Sequence, residues 1–76
     1  MTENDRVNVQ IDGDGIAIVT LVRIDKANAL DGRMFDELIA AGERLRSERG
    51  LRVVVMKGEG RGFCAGIDMD VLADMK

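Results

Sequence analysis

Apolar and polar positions alternate at the start of the chain. Val7, Val9 and Ile11 are separated by Asn8 and Gln10, the period of two expected of a strand with one buried face. Asp12-Gly13-Asp14-Gly15 follows as a tight-turn signal. From Ile16 to Val22 the chain reads Ile-Ala-Ile-Val-Thr-Leu-Val. That run predicts a second strand, buried on both faces and paired with the first as a hairpin. Arg23 to Leu30 fits neither period and is expected to be a loop. Met34, Leu38, Ile39, Ala41 and Leu45 then recur at helical spacing between Gly32 and about Glu48, with Asp36, Glu37, Glu43, Arg44, Arg46 and Glu48 assigned to the other side. Asp31 stands where a carboxylate can cap this helix, and Gly50 where a glycine can end it. Val53-Val54-Val55-Met56 is an unbroken apolar run, which predicts a strand covered on both faces in a parallel sheet. Strand, helix and strand at this spacing predict a right-handed βαβ crossover. A short helix is expected over Asp70 to Lys76, with Asp68 as its cap. The order is β-β-α-β-loop-α, an α/β chain preceded by a polar lead, residues 1–5, that is expected to be frayed.

Composition narrows the picture. The chain has 76 residues, of which 46% are apolar and 33% charged, a globular balance for one small domain. Phe35 and Phe63 are the only aromatic residues, so the core is aliphatic and modest. With a single cysteine and no histidine, neither a disulfide nor a zinc cluster can staple it. The expectation is therefore the first part of a larger domain, or a subunit that depends on a partner. A net charge of −3 with scattered basic residues argues against nucleic acid as a partner. The unpaired cysteine fits a reducing compartment. The polar N-terminus is no signal peptide, and no apolar run reaches membrane length. A cytoplasmic location without a membrane partner is expected.

The candidate chemistry sits after the Val53–Met56 run, where Gly58, Gly60, Gly62 and Gly66 place four glycines within nine residues. Such a loop lets a ligand approach the backbone closely and presents N–H groups that bind phosphates, carboxylates or developing oxyanions. Two nucleotide templates fail. The dinucleotide fingerprint needs a third glycine where Phe63 stands, and no Gly-Lys-Ser/Thr ending follows these glycines. Cys64 has no histidine to activate it and is expected to be a small buried residue beside a tight turn. Asp68 and Asp70 invite an acid–base or metal role. Asp68 serves better as a cap, and without converging ligands no metal is expected. From the residues alone, the three kinds of anion stay open.

Taken together, Asp25-Lys26-Ala27-Asn28-Ala29-Leu30, Val53-Val54-Val55, Gly58-x-Gly60 and Phe63-Cys64-Ala65-Gly66-Ile67-Asp68-Met69 resemble the N-terminal third of a crotonase-superfamily enzyme, the enoyl-CoA hydratase/isomerase family. The resemblance runs over roughly residues 7–76. It implies the start of a crotonase-type spiral core built of ββα repeats, incomplete in this chain, with residues 1–76 forming the N-terminal part of a single domain. It also implies an acyl-CoA thioester as substrate. Coenzyme A is then part of the substrate, and no separate cofactor is expected. Hydration of a trans-2-enoyl-CoA is the expected reaction. Isomerisation, dehalogenation, decarboxylation and thioester hydrolysis are the alternatives within the superfamily, and a non-catalytic nucleotide- or anion-binding module is the alternative outside it.

The resemblance assigns roles residue by residue. The backbone N–H of Ile67 corresponds to an oxyanion-hole donor. Lys26 and Ala27 correspond to the phosphate and pantetheine side of the coenzyme, with Ala29 nearby. Ala65 would contact adenine through its backbone, and Gly66, Asp68 and Met69 continue that wall. Leu30 and Phe63 are expected to pack in the core. In the family the second oxyanion donor and the acid–base glutamates come later than residue 76, so the chain alone is expected to be inactive. A homotrimer or hexamer is expected of the full-length form. One departure is Ile24, which occupies the place of a common family proline.

Overall fold

The computed structural model describes residues 6–74; the expected frayed lead, residues 1–5, lies outside them, as do the final two residues. Strands β1 (Val7–Ile11) and β2 (Ile16–Leu21) pair antiparallel, with Val7 opposite Leu21, Val9 opposite Val19 and Ile11 opposite Ala17. Because strand side chains alternate, this register puts the apolar set of β1 on the same face as Ala17, Val19 and Leu21. Asp12 builds the turn between them. Its Oδ1 accepts from the N–H groups of Asp14 at 2.8 Å and Ile16 at 3.0 Å, an Asx turn. Gly15 closes the turn at φ +86°, and a Cβ there would lie 2.5 Å from the Gly50 carbonyl oxygen.

Helix α1 (Gly32–Arg46) starts where Asp31 Oδ1 accepts from Met34 N–H at 2.8 Å. Met34, Leu38, Ala41 and Leu45 pack with Val7, Val9, Val19 and Leu21, and these contacts form the core. Three expectations for this helix need correction. Ile39 is 65% exposed, because it sits about 100° around the helix from Leu38 and off the face that meets the hairpin. Glu37, assigned to the solvent side, is buried. Its Oε1 accepts from the backbone N–H groups of Arg6 at 3.0 Å and Val7 at 2.9 Å, so the charge is turned inward to satisfy the start of β1. The helix also ends short of Glu48. Ser47 takes the C-cap, its N–H donating to the Arg44 and Leu45 carbonyls, and Gly50 lies beyond, in the turn leading to β3.

Strand β3 (Val53–Gly58) pairs parallel with β2, with Ile16 opposite Val53 and Leu21 opposite Gly58. The sheet order is β1-β2-β3, with α1 as the connection between the two parallel strands. The expectation that β3 is covered on both faces is not met. Val53, Val54, Val55 and Met56 are all between 41% and 48% exposed. Helix α1 lies over the hairpin and leaves β3 as an open edge. Strand β2 is buried on the helix face through Ala17, Val19 and Leu21, while on the other face Thr20 is buried and Ile16 and Ile18 are half-buried, so the expected cover on both faces is met only in part. A single 3₁₀ turn (Ile24–Lys26) interrupts the loop after β2, and helix α2 (Met69–Asp74) closes the described chain. No helix among the described residues is long and apolar enough to cross a membrane.

Candidate functional site

Because β2 and β3 are parallel neighbours, the segments that leave them emerge at the same end of the sheet. There the 23–30 segment and the glycine loop are tied together along their length. Ala65 N–H donates to the Ala27 carbonyl at 3.0 Å, Leu30 N–H to the Gly66 carbonyl at 2.7 Å, and Asp68 N–H to the Leu30 carbonyl at 2.8 Å. The last two bonds make a one-residue parallel bridge between Leu30 and Ile67. In such a bridge, the groups of residues 66 and 68 that face Leu30 leave the N–H of residue 67 pointing the other way. Among the described residues, the Ile67 N–H has no acceptor.

Asn28 locks the near end of the same loop. It is fully buried. Its Nδ2 donates to the carbonyls of Glu59 at 2.8 Å and Phe63 at 3.0 Å, and its Oδ1 accepts from Arg23 N–H at 2.8 Å. The backbone here is left-handed, with φ +52° at Ala27 and +58° at Asn28. Asparagine tolerates that region far better than most residues, and alanine less well. Gly58 makes room for the arrangement: a Cβ at that position would collide with the Phe63 carbonyl and come within 2.8 Å of Asn28 Nδ2.

These ties frame an open cleft of about 350 Å³ lined by Lys26, Ala29, Ala65, Ile67, Asp68, Met69 and Asp70. Six of the eight residues singled out from the sequence therefore meet around one space. The other two, Ala27 and Gly66, do not line it; they contribute the carbonyls that hold its walls together. Asp68 differs from its neighbours in being buried. Its Oδ1 accepts from Asp70 N–H at 2.8 Å, capping α2 as expected, while Oδ2 pairs with Arg23 Nη1 at 2.8 Å. The Asp70 N–H, and after it the Arg23 guanidinium, hold this carboxyl below the usual aspartate range. It is therefore an ionised anchor near neutral pH and no proton donor.

Leu30 and Cys64 pack against the core as expected, and the Cys64 sulfur accepts from Gly66 N–H at 3.4 Å. Phe63 does not: the residue is 52% exposed, and its backbone carbonyl is the part turned inward, toward Asn28. No group of three or more His, Cys, Asp or Glu side chains converges as metal ligands would among the described residues. Sequence reasoning missed Arg23 and the structural role of Asn28. An asparagine between two alanines in a segment with no period was the available hint, since asparagine favours left-handed turns.

The family model described as enoyl-CoA hydratase/isomerase matches residues 12–76. The chain is 45% identical over 56 residues to a probable enoyl-CoA hydratase of Rhodobacter capsulatus, covering 74% of this chain and 21% of that protein. It is 32% identical over 71 residues to a 4-chlorobenzoyl coenzyme A dehalogenase of an Arthrobacter species, covering 92% of this chain and 26% of that one. Among solved structures, the enoyl-CoA hydratase of Thermoplasma volcanium superposes with a TM-score of 0.84 at 30% identity, over 97% of this chain and 29% of the other. The chain thus spans about a quarter of the length of the relatives it matches.

Proposed function

The chain belongs to the enoyl-CoA hydratase/isomerase family, and from that premise we propose that it supplies one half of an oxyanion hole for an acyl-coenzyme A thioester, with the Ile67 N–H as donor. The observation that carries this proposal is the bridge geometry. Both backbone bonds on either side of Ile67 are spent on Leu30, which holds the residue rigidly and leaves its own N–H unpaired beside the cleft. A preorganised donor of this kind stabilises charge that develops on a carbonyl oxygen and needs no reorganisation when the reaction occurs. The side chain at position 67 is incidental to that role; the main chain acts.

Two of the relatives named above are called a probable hydratase and a dehalogenase, and both names specify an acyl derivative of coenzyme A. A shared segment that polarises the thioester carbonyl suits both, whereas the groups that move protons or displace a halide would differ. Hydration of a trans-2-enoyl-CoA is the reaction favoured here, in keeping with the names of most relatives. On this account the second donor and the acid–base groups come from outside this chain, and the 76 residues alone are inactive. Lys26 lies exposed at the rim of the cleft, where an ammonium group suits the phosphates of the coenzyme. Ala29 offers apolar wall to the pantetheine chain, and Ala65, with Met69 beside it, the wall on the adenine side. At about 350 Å³ the cleft is near the lower end of small-ligand sites, so it holds only part of an acyl-coenzyme A.

The test uses the full-length protein that carries this segment. Ile67→Pro removes the donor and is expected to lower kcat for crotonyl-CoA hydration by roughly 10²–10³, the loss usual for one oxyanion-hole donor. Unchanged turnover in a folded variant would refute the role of Ile67. Binding of free adenine nucleotide as tight as binding of acyl-CoA would favour a nucleotide module instead.

A further inference from the structure

Arg23 stands where the two loops of the cleft meet the start of α1, and the proposed chemistry gives it no part. Its side chain is 11% exposed, and each group it touches belongs to a different piece of the site. Nη1 donates to the Ala29 carbonyl at 3.0 Å and to Asp68 Oδ2 at 2.8 Å. Nη2 lies 3.4 Å from Asp31 Oδ2, at the cap of α1. The Arg23 carbonyl accepts from the N–H groups of Lys26 at 3.1 Å and Asn28 at 2.8 Å. Ala29 precedes Leu30 and Asp68 follows Ile67, so one guanidinium nitrogen holds both sides of the Leu30–Ile67 bridge. Asn28, held in turn by the Arg23 N–H, fixes the other end of the glycine loop.

We propose that Arg23 is a positioning residue for the thioester chemistry: its guanidinium sets the Leu30–Ile67 bridge and thereby the direction of the Ile67 N–H. The proposal rests on the oxyanion role of Ile67. A backbone donor helps only while it stays aimed at the place where the oxyanion forms, within about 0.5 Å and 10–20°. Two carbonyl-to-amide bonds fix the bridge along its length. The Arg23 contacts to Ala29, Asp68 and Asp31 add side-chain ties that anchor the bridge as a unit to the end of β2 and the start of α1. Arginine suits the task because its planar fork presents several N–H groups at set angles, whereas lysine offers one rotating head on a flexible stem.

The experiment compares Arg23→Lys with the full-length wild-type enzyme by steady-state kinetics and by the infrared carbonyl stretch of a bound, isotope-labelled thioester. Arg23→Lys is expected to lower kcat roughly tenfold while KM changes by less than about twofold, the split left by losing an interaction that matters in the transition state. The lowered stretching frequency of the bound carbonyl should move back toward its value in water. Asp68→Asn approaches the same pair from the other side and keeps an oxygen for the Asp70 N–H. It should show both changes more weakly, and it carries the test if Arg23→Lys does not fold. Wild-type kcat and carbonyl frequency in the variants overturn the proposal, as does lost turnover with an unaltered carbonyl frequency. A wild-type enzyme that binds the thioester without any shift of the carbonyl instead overturns the oxyanion role of Ile67, and the proposal for Arg23 with it.

Discussion

Asp31 and Asp68 join the ends of the structure that matter most. Asp31 caps α1 and pairs with Arg6 at 3.1 Å and Arg23 at 3.4 Å, while Asp68 caps α2 and pairs with Arg23. Burial pushes the Asp31 carboxyl up, but the Arg6 hydrogen bond, the Met34 N–H and the charges of Arg23 and Arg6 outweigh it and leave its pKa below the usual value. Asp68 is lowered in the same direction. A carboxylate whose folded pKa is depressed binds fewer protons folded than unfolded, so stability rises with pH across the gap between the two values. The contribution is complete above the unfolded aspartate value, about 3.9, and is lost as pH falls through the folded value. Thermal unfolding of the protein should therefore be insensitive to these groups between about pH 5 and 7 and weaken below about pH 4. Asp31→Asn should flatten that acid limb; an identical limb in wild type and variant would show that the Arg6–Asp31–Arg23 contacts contribute nothing.

Helix α1 illustrates what could be read along the chain and what could not. Its cap at Asp31 and the stripe Met34, Leu38, Ala41 and Leu45 follow from spacing alone, because capping and packing on a helix face are local in sequence. Glu37 is different. Its burial depends on β1, thirty residues earlier, whose first N–H groups need an acceptor, and no local pattern announces that need. Glu37→Ala would remove the acceptor of the buried Val7 N–H at the start of β1, a loss of roughly 1–3 kcal/mol for a buried unsatisfied group. A fall in unfolding free energy of about that size is expected, with Glu37→Gln recovering most of it because one oxygen acceptor returns. Equal stability of Glu37→Ala and wild type would remove the structural role given to this carboxylate. The segment after β2 shows the same division. Its lack of period was visible, but its left-handed turn at Ala27 and Asn28 and its hold on the glycine loop depend on contacts more than thirty residues away.

For the molecule as a whole, the resemblance to the enoyl-CoA hydratase/isomerase family, and not spacing alone, joined the glycine loop and the Lys26–Leu30 segment into one site, and the parallel pairing of β2 and β3 is what brings both to one end of the sheet. The cover on β3 could not be read from the sequence. An apolar run states that a strand is built to be buried; it does not say by what. In the described residues Val53 and Val55 share an apolar, half-open face with Ile16 and Ile18, a surface that monomeric proteins seldom leave bare. The family relatives are about three and a half times as long as this chain, which accords with a site that is half of a larger one. The central claim is that this half contributes a single backbone N–H. The measurement that tests it most directly replaces the amide bond before Ile67 with an ester in the full-length enzyme, which deletes that N–H while keeping the isoleucine side chain and the extended backbone. The account expects kcat for enoyl-CoA hydration to fall by roughly 10²–10³ with KM little changed. An ester enzyme that folds, binds the thioester and turns over at the wild-type rate would contradict it.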